Sequence, residues 1–189
     1  MPAAATWLAV ATTDHAALVR ALGLRTELPA NWAGGFAEAQ AGGVFVTPAV
    51  ARHCLVVGAG VDALDLDGEV LPLLAALSRS FGRAAWFRRD DQGERHGWAV
   101  AEAGRIVRAY AWDGTVGHVA WDGEVSADER ELGCFVDDPR DHSDDEQKWW
   151  PDARLVDALA ARWSIDPKAL AGHATGTCLG TCGRLPPSP

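Results

Sequence analysis

The chain has 189 residues, 48% hydrophobic and 23% charged, with a net charge of −9 and a pI near 5.0. One substantial core fits this length better than two. The composition excludes disorder of the whole chain, and the acidic balance excludes a nucleic-acid partner, because a phosphate backbone needs a basic face.

The opening run "MPAAATWLAVATTDHAALV" has no basic region ahead of its apolar residues, and Asp14 and His15 interrupt it. It does not read as a signal peptide. No stretch approaches the roughly 18 uninterrupted apolar residues of a membrane span. The expectation is a cytoplasmic protein with no membrane contact, whose four cysteines are thiols rather than a disulfide framework.

"TWLAVAT" predicts a first strand over residues 6–12. "TDHAALVRALG" predicts a helix, capped by Asp14 or Thr13 and ended by Gly23 in the left-handed conformation. "NWAGGFAEAQAGG" is a weak helix, spoiled by Gly34 and Gly35. "GVFVTP" and "RHCLVVGAG" are two short strands, the second carrying Cys54. "GEVLPLLAALSRSFG" is the strongest helix, with Val70, Leu73, Leu74, Leu77 and Phe81 on one face and Gly82 as its stop.

Hairpin-like segments follow. "RAAWFRRD" turns at "DQG" into "ERHGWAVAE", which turns at "AGR" into "IVRAYAW", and "DG" leads on to "TVGHVAWDG". Tight turns between alternating apolar segments mark an antiparallel meander. "SADERELG" opens with the capping box of Ser126 and Glu129. "DARLVDALAARW" is a further helix with Leu155, Leu159 and Trp163 on one face, and "DPKALAG" starts a short helical turn at Asp166 and Pro167.

The expected fold is α+β: an antiparallel sheet with β-α-β-β-α-β order, followed by a β-meander and C-terminal helices. The first six elements have the succession of a split βαβ unit. A single domain over residues 1–172 is expected, with 173–189 as a Gly/Cys/Pro-containing tail.

The strings "WLAVATTD", "ANWAGG", "VFVTPAV", "LVVGAG", "LSRSFG", "HGWAVAEAGRIVRAY" and "DERELG" resemble a family of uncharacterised small single-domain bacterial proteins. The resemblance covers about residues 7–133. It implies a single bacterial cytoplasmic domain and carries over no catalytic residues, and it leaves the C-terminal cysteine pair outside its reach.

Three groups of residues are candidates for chemistry. His173, Cys178 and Cys182 form H-x4-C-x3-C, soft ligands suited to Zn²⁺ or Cu(I). Three local ligands fall short of the usual four, and the spacing is not the C-x-x-C of redox proteins. A disulfide, a Thr/Cys tail acted on by a peptide-modifying enzyme, and incidental thiols in a tail are the other readings of this segment. The second group is the meander face, where Glu94, His96 and Trp98 alternate beside Ile106, Arg108, Tyr110 and Trp112. Such a set could work as an acid–base site. A polar, solvent-facing sheet side gives the same alternation without catalysis.

The third group is "CFVDDPRDHSDDEQKWWPD". Its carboxylates could take Ca²⁺ or Mg²⁺, but the order lacks the loop pattern of a calcium site. Trp149 and Trp150 cannot both face one side of a helix, so one of them is a candidate exposed anchor. With Asp141, Asp144 and Asp145 as an acidic rim, the pair has the chemistry of an interface for a basic protein partner. Nine tryptophans strengthen that reading, although most of them should be core residues.

No nucleophile elbow, phosphate loop, zinc-protease helix or dinucleotide fingerprint is present, and the glycines of "GAGVDALDLDG" lack the third glycine and the helix start. The sequence leaves the cofactor unknown, with a metal ion at His173, Cys178 and Cys182 as one reading. The sequence therefore favours a non-enzymatic interaction domain, in its specific form an immunity protein that neutralises a toxin. The alternative is a protein acting through its C-terminal cysteine pair.

Overall fold

A computed structural model describes residues 4–135, 150–173 and 178–187, with the backbone alone for 171–173. The fold is α+β, built on an antiparallel sheet of nine strands. In chain order the strands are β1 Ala5–Val10, β2 Arg25–Ala30, β3 Val44–Val46, β4 Cys54–Val57, β5 Arg83–Asp90, β6 Arg95–Glu102, β7 Arg105–Asp113, β8 Gly117–Asp122 and β9 Gly180–Arg184. The helices are α1 His15–Leu22, α2 Trp32–Gln40, α3 Ala59–Asp62, α4 Leu71–Phe81, α5 Ala127–Glu131 and α6 Ala153–Trp163. A 3₁₀ helix covers Pro167–His173.

The spatial order is β2-β9-β3-β4-β1-β5-β6-β7-β8. β1 lies centrally, paired with β4 on one side and β5 on the other. Its interior residues are buried whichever way they point, which is why "TWLAV" reads as a continuous apolar run rather than an alternation. Trp7 and Ala9 enter one core with α2, α6 and the 3₁₀ helix; Leu8 and Val10 enter a second core with α1 and α4. The domain is thus three layers, with the sheet in the middle.

Local signals act where the sequence places them. Asp14 accepts the Ala17 N–H at 2.9 Å to start α1, and Gly23 ends it at φ 61°. Ser126 and Glu129 form both halves of the capping box on α5. α2 is a full helix in spite of Gly34 and Gly35. Gly35 is needed there, because a Cβ at that position would stand 2.5 Å from the Phe45 ring.

Two strands depart from the expectation. β2, "RTELPA", inserts between α1 and α2 and breaks the simple β-α-β-β-α-β succession. It is an exposed edge strand, so no buried face imposes an alternation, and Pro29 is tolerated there. β9 corrects the placing of residues 173–189 outside the core. Gly180–Arg184 pairs with both β2 and β3, inside the sheet. Its "GTCGR" carries no strand signal, because small residues are what the crowded site admits: a Cβ at Gly180 would meet the Val46 carbonyl at 2.3 Å and the Phe45 ring at 2.5 Å.

Candidate protein-interaction surface

The meander β5–β8 builds an aromatic surface at one end of the sheet. Its register sets Trp98 opposite Tyr110, and Tyr110 opposite Trp121. Trp98 and Tyr110 rings lie 4.6 Å apart, Tyr110 and Trp121 meet edge-on at 5.7 Å, and Phe135 closes on Tyr110 at 4.9 Å and on Trp121 at 4.8 Å. Aromatic pairs at these separations each add about 0.5–1.5 kcal/mol beyond area burial.

His96, Trp98, Arg108, Tyr110 and Trp112 do share a face, but that face is covered rather than solvent-facing. His96 is 4% exposed, Arg108 1%, Trp98 and Tyr110 0%. Glu94 sits in the hairpin turn with φ 50°, off the strand. Ile106 belongs to the opposite core, because the register slips between Val100 and Ala101 and brings it across from Ala101. A one-residue slip exchanges faces, and simple parity along the sequence cannot register it.

Arg108 is held by Glu129 of α5, with Nε 2.9 Å from Oε1. The same carboxylate accepts the Trp98 indole N–H at 2.7 Å and the Ser126 N–H at 2.7 Å. The guanidinium also donates to the carbonyls of Ala109 and Asp122, both at 3.1 Å, and stacks 4.6 Å from the Trp121 ring centre. The Glu129 carboxylate is taken up by N–H donors from Trp98, Arg108 and Ser126, so the arrangement fastens α5 to β6 and β7. His96 bonds Asp91 at 2.9 Å, and that hydrogen bond holds the Asp91 carboxyl below the usual carboxylate range. Asp91 also accepts the Ala153 N–H, anchoring the start of α6.

Just ahead of α6 stands Trp150. It is 51% exposed, yet its ring meets Trp112 edge-on at 4.9 Å. Val116 and Val119, on the β7–β8 turn and the edge strand β8, are also exposed, as are Asp122 and Glu124. Val119 occupies the register shift between Ala111 and Trp112. Asp113, hydrogen-bonded by the Thr115 hydroxyl and N–H, is held below the usual carboxylate range and stays ionised. The other residues of the expected rim, Asp141, Asp144, Asp145 and Trp149, lie outside the described residues. Of the tryptophans described, Trp7, Trp32, Trp86, Trp98 and Trp163 are buried and Trp112 and Trp121 partly so. Trp150 is the one that stands out to solvent.

The cysteine pair is split by the fold. Cys178 is exposed ahead of β9, whereas Cys182 is 4% exposed within the core, its thiol toward the Gly35 carbonyl. The His173 side chain lies outside the described residues, and among those described no group of three His, Cys, Asp or Glu side chains could hold a metal ion. Burial pushes the Cys54 thiol up to about 11 and Cys134 up to about 12, and raises Cys182 as well. These three stay protonated and shielded, so iodoacetamide at about pH 8 should label Cys178 alone in the folded protein. All four should react after unfolding. Intact mass reads both results, and rapid labelling of Cys182 in the native state would contradict its place in the sheet.

Fold and surface together define a single-sheet α+β protein with an exposed tryptophan packed edge-on against Trp112. No family model matches the chain, and comparison with curated proteins and with solved structures likewise found no match. No helix among the described residues is long and apolar enough to cross a membrane.

Proposed function

We propose that the chain is a non-enzymatic interaction domain that engages a basic protein through the acidic, tryptophan-bearing end of its sheet. In its specific form it is an immunity protein neutralising a toxin in the bacterial cytoplasm. One observation carries the reading: Trp150 is half exposed while its ring is braced by Trp112. An aromatic side chain fixed by packing but open to solvent loses little entropy on binding, which is the property of an interface anchor. The exposed Asp122 and Glu124, the ionised Asp113 and the acidic run before Trp150 supply the complementary field for a basic partner.

The alternative, chemistry at the C-terminal cysteine pair, has less support, because Thr181 and Cys182 are residues of β9. A modifying enzyme acting on the folded chain would find Cys178 open to it.

The test is co-expression with the products of the adjoining genes, followed by calorimetry on any complex. Trp150→Ala should keep the thermal midpoint and weaken binding at least tenfold, as hot-spot truncations do. Raising salt from about 50 to about 300 mM should slow association, as expected of steering by opposite charge. No complex with any neighbour-encoded protein, together with no rescue of growth from a neighbour-encoded toxin, would remove the proposal.

A further inference from the structure

A cavity of about 240 Å³ opens where the start of β1, the end of β5 and helices α2 and α3 converge. None of the residues discussed above as interface anchors lines it, although Arg95 of its wall stands across from Asp113 in the β6–β7 register. Its apolar lining includes Phe36 and Ala39 of α2 and Val57 of β4. Its walls hold two cations and two anions: Arg89 and Arg95, Asp62 and Asp90. The balance is unusual for a chain with a net charge of −9.

The wall charges are set in place by one another. Arg95 meets Asp90 through Nε at 3.3 Å and Nη2 at 2.9 Å, and Gly93 N–H donates to the second Asp90 oxygen at 2.9 Å. Burial alone would raise the Asp90 carboxyl, but these donors outweigh it and hold it below the usual range. Arg89 is paired with Asp157. Asp62 receives the Thr6 hydroxyl at 2.7 Å and faces Arg88 Nη2 at 3.4 Å, both at Oδ1. That leaves one cationic and one anionic group with an open position among the described residues: Arg95 Nη1 and Asp62 Oδ2.

We infer that this cavity binds a small zwitterion with an apolar side group, the chemistry of a free apolar amino acid. The carboxylate meets Arg95, the ammonium meets Asp62, and the side group lies on Phe36, Ala39 and Val57. A plain anion would face Asp62 and Asp90, and a plain cation would face both arginines. Only a molecule carrying both signs gains at each wall, and like-charge contacts are what reject the others. The volume falls just under the roughly 300–1,000 Å³ of sites for drug-sized ligands, which suits one ring or a short branched chain.

The inference stands apart from the proposed interaction surface, and its test uses the full chain alone. Calorimetry or ligand-observed NMR would compare L-phenylalanine with 3-phenylpropanoate, which lacks the ammonium, and 2-phenylethylamine, which lacks the carboxylate. L-phenylalanine should bind saturably with Kd at or below about 1 mM, a reasonable strength for a ligand of this size. Each singly charged analogue should bind at least tenfold more weakly. Asp62→Asn keeps an acceptor for Thr6 and should bring L-phenylalanine down to the level of 3-phenylpropanoate, with no loss for 3-phenylpropanoate itself. Absence of saturable binding by L-phenylalanine, or equal binding by an analogue, overturns the inference. So does an Asp62→Asn protein that keeps its thermal midpoint and its full affinity.

Discussion

Glu129→Ala should destabilise the protein by about 3–5 kcal/mol, the cost of stranding a buried charge by removing its partner. Arg108 is 1% exposed and Glu129 0% exposed, so water cannot take over when one of them goes. The loss is not confined to the ion pair. The Trp98 indole N–H and the Ser126 N–H also end on this carboxylate, and both become unpaired. An unpaired buried donor costs about 1–3 kcal/mol on its own. Because native domains hold a margin of only about 5–15 kcal/mol, such a change is large against the whole. Arg108→Met should fall in the same range, since it leaves the Glu129 carboxylate buried without its cation.

The double variant Arg108→Met with Glu129→Leu should be more stable than the sum of the two single losses implies. It removes both charges and puts apolar volume against Trp121 and Phe135, which already surround the guanidinium at 4.6 and 5.4 Å. Replacing a buried pair by packed apolar residues is often close to neutral. Urea unfolding of the four proteins gives the cycle directly, and a coupling energy of several kcal/mol is expected. Additive losses, or a Glu129→Ala protein within about 1 kcal/mol of the parent, would show that α5 is not fastened through this carboxylate.

That cluster also shows how far the sequence can be read. The capping box is legible, because Ser126 and Glu129 stand at the right spacing ahead of a helical turn. The second use of the same carboxylate is not, since Arg108 lies 21 residues away on a strand and nothing local couples the two. Legible elements share one property: their signal is short-range. The α4 face, the Asp14 and Gly23 caps and the hairpins around Gly93, Gly104 and Gly114 are fixed by neighbours within a few positions. β2 and β9 are fixed by partners some 150 residues apart, and their composition answers to crowding and edge exposure instead of a pattern. Ile106 leaves its expected face for a related reason, because a register slip is decided across strands. At the candidate surface, the exposure of one tryptophan of an adjacent pair can be argued from geometry alone. That Trp112 braces Trp150 cannot, because only the folded meander brings them together.

The second large effect concerns β9. A chain ending at Thr177 should fail to reach the native sheet, giving loss of cooperative unfolding and of the buried tryptophan environment. β2 pairs with β9 and with no other strand in the sheet order, so removing β9 detaches the whole edge and bares one side of β3. Cys182 would leave the core that holds Phe45 and Trp32. A truncation that removes too much proves little by itself, so a point change completes the argument. Gly180→Ala adds one methyl where a Cβ would stand 2.3 Å from the Val46 carbonyl and 2.5 Å from the Phe45 ring. The backbone oxygen cannot turn aside as a flexible side chain would. Overpacking of this kind costs about 1–3 kcal/mol, readable as a lower urea midpoint with an unchanged slope. Thr181→Ser, in the same strand and partly exposed, is the control and should change stability by less than about 1 kcal/mol. If Gly180→Ala and the truncated chain both unfold like the parent, residues 178–187 contribute nothing to the core, and Cys182 would be as open to chemistry as Cys178.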